Sequence, residues 1–129
     1  MDNIAIFVST LGSGGAEKQA ALLASVLSKH YNVHFVALYG DSETSDFVVS
    51  ILKKSEVNVY PLVGSQSKKF KEYASILRSN NVVCSFNYLT KCDFLGAIIA
   101  KLCGVTTVYN GIRNSKLEGH KNILEWISH

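Results

Sequence analysis

The stretch that decides the fold is residues 4–27, IAIFVSTLGSGGAEKQAALLASVL. It opens with a short apolar run, passes through a glycine-rich turn and ends in alanines and leucines at helical spacing. A strand, a turn and a helix in this order bring backbone N–H groups and the positive end of a helix dipole to the carboxyl end of a strand. The stretch therefore predicts half of a nucleotide-type or sugar-phosphate-type site.

The composition indicates one globular domain over residues 1–129. Hydrophobic residues make up 47% and charged residues 18% of the chain, which argues against disorder. The net charge of +3 is compatible with a phosphorylated ligand or an anionic membrane surface. It is too small to indicate a nucleic-acid partner.

The cysteines and the N-terminus indicate the compartment. Cys84, Cys92 and Cys103 have spacings that match no zinc pattern, and they predict buried thiols in a reducing environment. The first residues lack the basic region of a secretory signal peptide. No stretch reaches the ~18–20 apolar residues of a membrane span. We expect a cytoplasmic protein.

Beyond residue 27, short β-branched runs alternate with helical patterns. Strands are predicted at 33–38, 57–60, 82–86 and 105–109, and helices at 46–54, 68–79, 93–103 and 117–127. This alternation predicts an α/β fold: a Rossmann-like parallel sheet of about five strands or more, with helices on both faces. Ligands of such sheets bind at the carboxyl ends of the strands.

The loop after the first strand has two interpretations. Gly12, Gly14 and Gly15 permit either a tight strand-to-helix turn or the close approach of a ligand. Their spacing matches neither the dinucleotide fingerprint nor the P-loop. Glu17, in the first turn of the helix, either compensates the helix dipole, worth about 0.3–1 kcal/mol, or faces a ligand hydroxyl.

Other polar residues follow the later strands. Arg113 can clamp a phosphate or carboxylate in two places, or it can form a surface ion pair. Asn87 can bind a sugar hydroxyl or stabilise a turn. The four histidines assemble neither a metal site nor a Ser/His/Asp arrangement, so no metal is expected.

Three segments carry a resemblance to a known family. Residues 11–19, LGSGGAEKQ, resemble the opening of the family 4 (group 1) glycosyltransferases of the GT-B fold, whose first loop reads Gly-Gly-Ala-Glu. Residues 85–90, SFNYLT, are similar to their Ser-Phe-Leu/Met loop after the fourth strand. Residues 111–114, GIRN, are similar to their Ser-Glu-Arg-Asn segment, with Gly111 and Ile112 replacing Ser-Glu.

The resemblance implies the acceptor-side N-terminal half of a retaining GT-B glycosyltransferase. The intact enzyme would move a sugar from a nucleotide-sugar to a saccharide or lipid-linked acceptor in cell-surface polysaccharide assembly, without metal or other cofactor. A C-terminal donor-binding domain, absent from these 129 residues, would complete it, so this part alone is expected to be inactive. Carried over, Gly12, Gly14 and Gly15 would lie near the donor diphosphate. Acceptor-side residues would be Glu17, which is also the catalytic candidate, Asn87, Arg113 and Asn114.

The role of one basic cluster has two interpretations, and the chain as a whole has two alternative functions. Lys68, Lys69 and Lys71 would dock on anionic membrane, at the inner face of the membrane, or they form a solvated helix face. One alternative function is a non-catalytic Rossmann-like subunit that needs a partner chain. The other is a stand-alone nucleotide-binding or phosphosugar-binding module.

Overall fold

The computed structural model describes residues 2–12, 15–40, 44–88, 103–105 and 107–110. The elements in these parts of the chain are, in order, β1 Asn3–Val8, α1 Gly15–Leu27, β2 Asn32–Ala37, α2 Asp46–Lys54, β3 Asn58–Pro61, α3 Gln66–Ser79, β4 Val82–Asn87 and β5 Thr107–Asn110. The predicted helix at 117–127 and nearly all of the one at 93–103 lie outside them. Each described element matches a predicted one to within about two residues at either end.

The strands form one parallel sheet in the order β3-β2-β1-β4-β5. β2 and β3 are added in turn on one side of β1. The chain then returns to the other side of β1, where it forms β4 and β5. Since each connection contains room for a helix, every neighbouring pair can run parallel. The predicted α/β, Rossmann-like sheet is confirmed.

Both faces of the sheet are covered. Alternate residues of β1 point to opposite faces, because successive side chains of a strand alternate. Ile4, Ile6 and Val8 pack with α1 and α2, whereas Ala5 and Phe7 pack with α3. All five are fully buried. This two-sided burial explains why β1 is a continuous apolar run and not an alternating one.

His34 lies within β2 and forms a buried polar link near the amino ends of the strands. Its Nε2 is 2.9 Å from Asn3 Oδ1, and its Nδ1 is 3.0 Å from the Tyr60 hydroxyl. A carboxamide oxygen only accepts, so Nε2 carries the ring proton and Nδ1 accepts from Tyr60. The neutral ring thus satisfies both partners, far from the carboxyl edge.

Stability is expected to fall as the pH drops below about 6.5, because burial lowers the pKa of His34 from its usual 6.5. The unfolded chain takes up the proton at a higher pH than the folded chain, so acid favours unfolding in that window. Urea denaturation over a pH series measures this loss. His34→Gln, which removes the titrating group, should flatten the slope; an unchanged slope would contradict the assignment.

Candidate functional site

The candidate site lies where the strand order reverses, between the carboxyl ends of β1 and β4. The two strands remain joined there, because the Tyr88 N–H donates to the Phe7 carbonyl at 3.0 Å. Neighbouring chain connections leave this edge in opposite directions at a reversal, which opens a crevice. Residues 9–12, which follow β1, and Asn87, which ends β4, both adjoin it.

Two hydrogen bonds hold the described residues of the loop after β1. The buried Gly12 donates its N–H to Thr10 Oγ1 at 3.0 Å, and the Leu11 carbonyl accepts from the Ser45 N–H at 2.8 Å. The Gly12 N–H therefore serves the turn. Gly14 lies outside the described residues. Gly15 begins α1, is exposed, and a Cβ there would meet nothing within 4 Å.

Glu17 is buried in the first turn of α1, with 9% of its surface exposed. Its carboxylate makes no hydrogen bond or ion pair with another residue in the described ranges. The neighbouring Lys18 turns outward, with Nζ 5.7 Å from the ring centroid of Phe47. A carboxylate at a helix N-terminus offsets the dipole, and its oxygens are acceptors of the kind that a ligand hydroxyl requires.

Asn87 ends β4 and is fully buried. The Ser85 hydroxyl donates to Asn87 Oδ1 at 3.3 Å, and the Tyr73 hydroxyl lies 3.1 Å from Ser85 Oγ. These hydrogen-bonded polar groups lie on the α3 face of the sheet, and they fix the orientation of the Asn87 amide. The expected contact between Asn87 and an acceptor stays a prediction.

Sequence reasoning missed this polar line, although a signal was present. Ser85 and Asn87 are polar residues two positions apart in an otherwise apolar strand, so they share one face. A buried polar pair on one face implies a third partner from the covering helix. Tyr73, read only as part of a helical pattern, is that partner.

The remaining predicted residues divide into two groups. Arg113, Asn114 and Cys92 lie outside the described residues. Cys84 is buried as predicted, and burial raises the pKa of its thiol to about 12, so it stays protonated.

No group of three or more His, Cys, Asp or Glu side chains that could hold a metal ion occurs in the described ranges.

The lysine cluster of α3 differs from its prediction. Lys68 and Lys71 are exposed, but only 5% of Lys69 is exposed, and its Nζ lies 4.4 Å from the ring centroid of Tyr39. Lys69 was wrongly grouped with an exposed basic face, because it lies on the side of α3 that packs on the sheet. None of the helices in the described residues is long and apolar enough to cross a membrane.

A shallow groove lies away from the reversal point, between the edge strand β3 and α3. It has a volume of about 340 Å³ and is lined by residues 59–62 with Glu72, Ser75 and Ile76. The Tyr60 hydroxyl in its wall is already bonded to His34. The groove brings together few polar groups, so the reversal point remains the better candidate.

No known protein-family profile matches the sequence. The chain is 28% identical, over 112 residues, to the N-acetylgalactosamine-N,N'-diacetylbacillosaminyl-diphospho-undecaprenol 4-alpha-N-acetylgalactosaminyltransferase of Campylobacter jejuni subsp. jejuni serotype O:2, a match that covers 83% of this chain and 30% of that protein. A crystal structure of a glycosyltransferase from Rickettsia africae ESF-5 superposes with a TM-score of 0.58 at 11% identity. That superposition covers 84% of this chain and 28% of the solved chain. The chain thus spans under a third of either protein, and it is glycosyltransferase-like in sequence and in fold.

Proposed function

We propose that the chain is the N-terminal, acceptor-side domain of a retaining GT-B glycosyltransferase. The whole enzyme transfers a sugar from a nucleotide-sugar to a lipid-linked saccharide at the inner face of a membrane, in cell-surface polysaccharide assembly. One observation carries the proposal: 112 residues of similarity to a transferase whose acceptor is a lipid-linked saccharide. The parallel sheet, with its glycine-rich loop at the reversal point, supports it.

The residues at the reversal point suit the acceptor half of such a site. The Glu17 carboxylate accepts a hydrogen bond from the attacking hydroxyl and orients it. Asn87 ends β4 at the same edge of the sheet, and its Oδ1 accepts from the Ser85 hydroxyl. Catalysis of sugar transfer depends mainly on positioning and on stabilising the leaving diphosphate. On this proposal most donor contacts come from a second domain, with neither metal nor other cofactor, and Arg113 and Asn114 complete the acceptor side.

The two alternative functions account for fewer of the observations than a glycosyltransferase domain does. A non-catalytic subunit or a stand-alone nucleotide-binding module accounts for the Rossmann-like sheet equally well. Neither accounts for the similarity to a sugar transferase. The loop also matches neither dinucleotide nor P-loop spacing, which disfavours nucleotide binding by this domain alone.

Ligand-detected NMR on the 129-residue chain tests the proposal. Saccharide phosphates should bind weakly, whereas UDP-sugars and GDP-sugars should not bind. Glu17→Gln should weaken saccharide binding about tenfold, since a hydrogen bond to a charged group is lost. Glu56→Gln, at an exposed glutamate after α2, is the matched control. Micromolar binding of a nucleotide-sugar by this chain alone would contradict the proposal and favour a self-sufficient module.

A further inference from the structure

Tyr73 of α3 contacts both strands that meet at the reversal point. Its ring stacks on that of Phe7, next to the last residue of β1, with ring centroids 4.3 Å apart and an angle of 19° between the planes. Its hydroxyl lies 3.1 Å from the Oγ of Ser85, on β4. One side chain therefore bridges β1 and β4 beneath the end of the sheet where the candidate site lies.

The hydrogen bonds of the polar line, which joins Tyr73, Ser85 and Asn87, have a defined direction. A serine hydroxyl has a single proton, and Ser85 donates it to Asn87 Oδ1 at 3.3 Å. The Tyr73 hydroxyl must therefore be the donor to Ser85 Oγ. Donation runs from α3 to the last residue of β4. The Tyr73 hydroxyl thus holds Ser85 in the orientation that in turn orients the Asn87 amide.

Burial makes this orientation specific. Tyr73, Ser85 and Asn87 are all fully buried, where a polar group that loses its partner has no bulk water to replace it. Turning the Asn87 amide over would break its bond with Ser85 at that cost. A phenylalanine at position 73 would offer the same ring to Phe7 without burying a hydroxyl. The hydroxyl of Tyr73 therefore contributes orientation more than packing.

The backbone joins the end of the polar line to the crevice. Asn87 is the partner of Phe7 in the register of β1 and β4. The peptide that follows Asn87 supplies the Tyr88 N–H, which donates to the Phe7 carbonyl at 3.0 Å and joins the two strands at the reversal point. The orientation of Asn87 is thus tied to the position of the backbone that forms the β4 side of the crevice.

We propose that Tyr73 is a positioning residue for acceptor binding, which acts through Ser85 and Asn87 on the carboxyl end of β4. Tyr73 is fully buried, so it acts through the protein and not by touching a ligand. The role rests on the proposed function, in which the acceptor saccharide is bound between the ends of β1 and β4. Hydrogen bonds to a saccharide weaken when their geometry is misaligned, so a small displacement of this backbone lowers affinity.

Ligand-detected NMR titration of the 129-residue chain with N-acetylglucosamine phosphate tests the role. Tyr73→Phe keeps the stack on Phe7 and should weaken binding about threefold or more, because one hydrogen bond of the polar line is lost. Tyr60→Phe is the matched control. It removes a hydroxyl that bonds His34, far from the carboxyl edge, and should change affinity less than about twofold. In the ¹H–¹⁵N spectrum, the side-chain amide of Asn87 should shift in Tyr73→Phe and not in Tyr60→Phe.

A double-variant cycle separates positioning from a general loss of packing. Ser85→Ala removes the middle of the polar line and should weaken binding about tenfold. Once that hydroxyl is gone, Tyr73 has nothing to act through, so adding Tyr73→Phe should weaken binding no further. Independent effects of the two substitutions would instead multiply to about thirtyfold.

The outcomes distinguish the positioning role from the proposed function. If Tyr73→Phe binds as the unsubstituted chain does, or if the losses multiply in the double variant, the positioning role alone is refuted. Equal losses in Tyr73→Phe and Tyr60→Phe indicate a general effect of stability and refute it as well. If the unsubstituted chain shows no saturable binding, the proposed function is refuted, and the positioning role falls with it.

Discussion

Phe7→Ala is expected to lower the free energy of unfolding by about 3–5 kcal/mol. Phe7 is fully buried on the central strand β1, and its ring stacks on that of Tyr73 with centroids 4.3 Å apart. Both neighbours of β1 are hydrogen-bonded to it, so the backbone cannot collapse into the cavity. The loss is a large part of the about 5–15 kcal/mol that stabilises an ordinary domain.

Urea denaturation followed by circular dichroism measures this loss. Phe47→Ala is the matched control, because that ring is 50% exposed on α2 and should cost less than about 1 kcal/mol. Since Tyr73 bonds Ser85, the Phe7 cavity should also loosen the polar line that turns Asn87. Equal losses in the two variants would contradict the placement of β1 at the centre of a doubly covered sheet.

Gly40→Ala is expected to destabilise the chain by about 1–3 kcal/mol through overpacking. An added Cβ would lie 2.4 Å from the backbone carbonyl carbon and Cα of Pro61. Neither atom can move without shifting the edge strand β3. The Gly40 N–H bond to the Leu62 carbonyl would be lost with that shift, and Tyr39, the ring beneath Lys69, would move as well.

Gly15→Ala provides the comparison for Gly40→Ala. A Cβ at Gly15 meets nothing within 4 Å, and this residue begins a helix. The substitution should leave stability unchanged or raise it by about 0.4–1 kcal/mol, by restricting the unfolded chain. Thermal unfolding of both variants measures the difference. If Gly40→Ala were as stable as Gly15→Ala, β2 and β3 would not approach each other as described.

The strands and helices were predictable because their signals are local. Continuous apolar runs bounded by turn residues indicated strands with two buried faces, and apolar residues at helical spacing indicated the helices. The close approach of Gly40 to Pro61 was not predictable, because it joins residues on different strands. Sequence showed only a glycine after a strand, which many turns would explain equally well.

The positions of two candidate residues in the fold could be predicted, whereas their roles stay predictions. Glu17 in a first helical turn and Asn87 at a strand end both follow from the element pattern, and the structure places them there. Lys69 was wrongly predicted to be exposed, although its spacing indicated burial. Lys69, Tyr73 and Leu77 recur every four residues, and all three are buried. The charge of Lys69 suggested exposure, and it outweighed the periodicity. A lysine at an apolar position of a helical repeat is therefore better predicted as buried, with its ammonium over an aromatic ring as in Lys69.

Chemical-shift mapping of a saccharide phosphate on the ¹⁵N-labelled chain tests the central claim most directly. Acceptor binding at the reversal point predicts the largest shifts in residues 9–12, at Glu17 and at Tyr88, at the carboxyl ends of β1 and β4. Shifts confined to the groove between β3 and α3, or no saturable shifts at all, would contradict an acceptor-side domain.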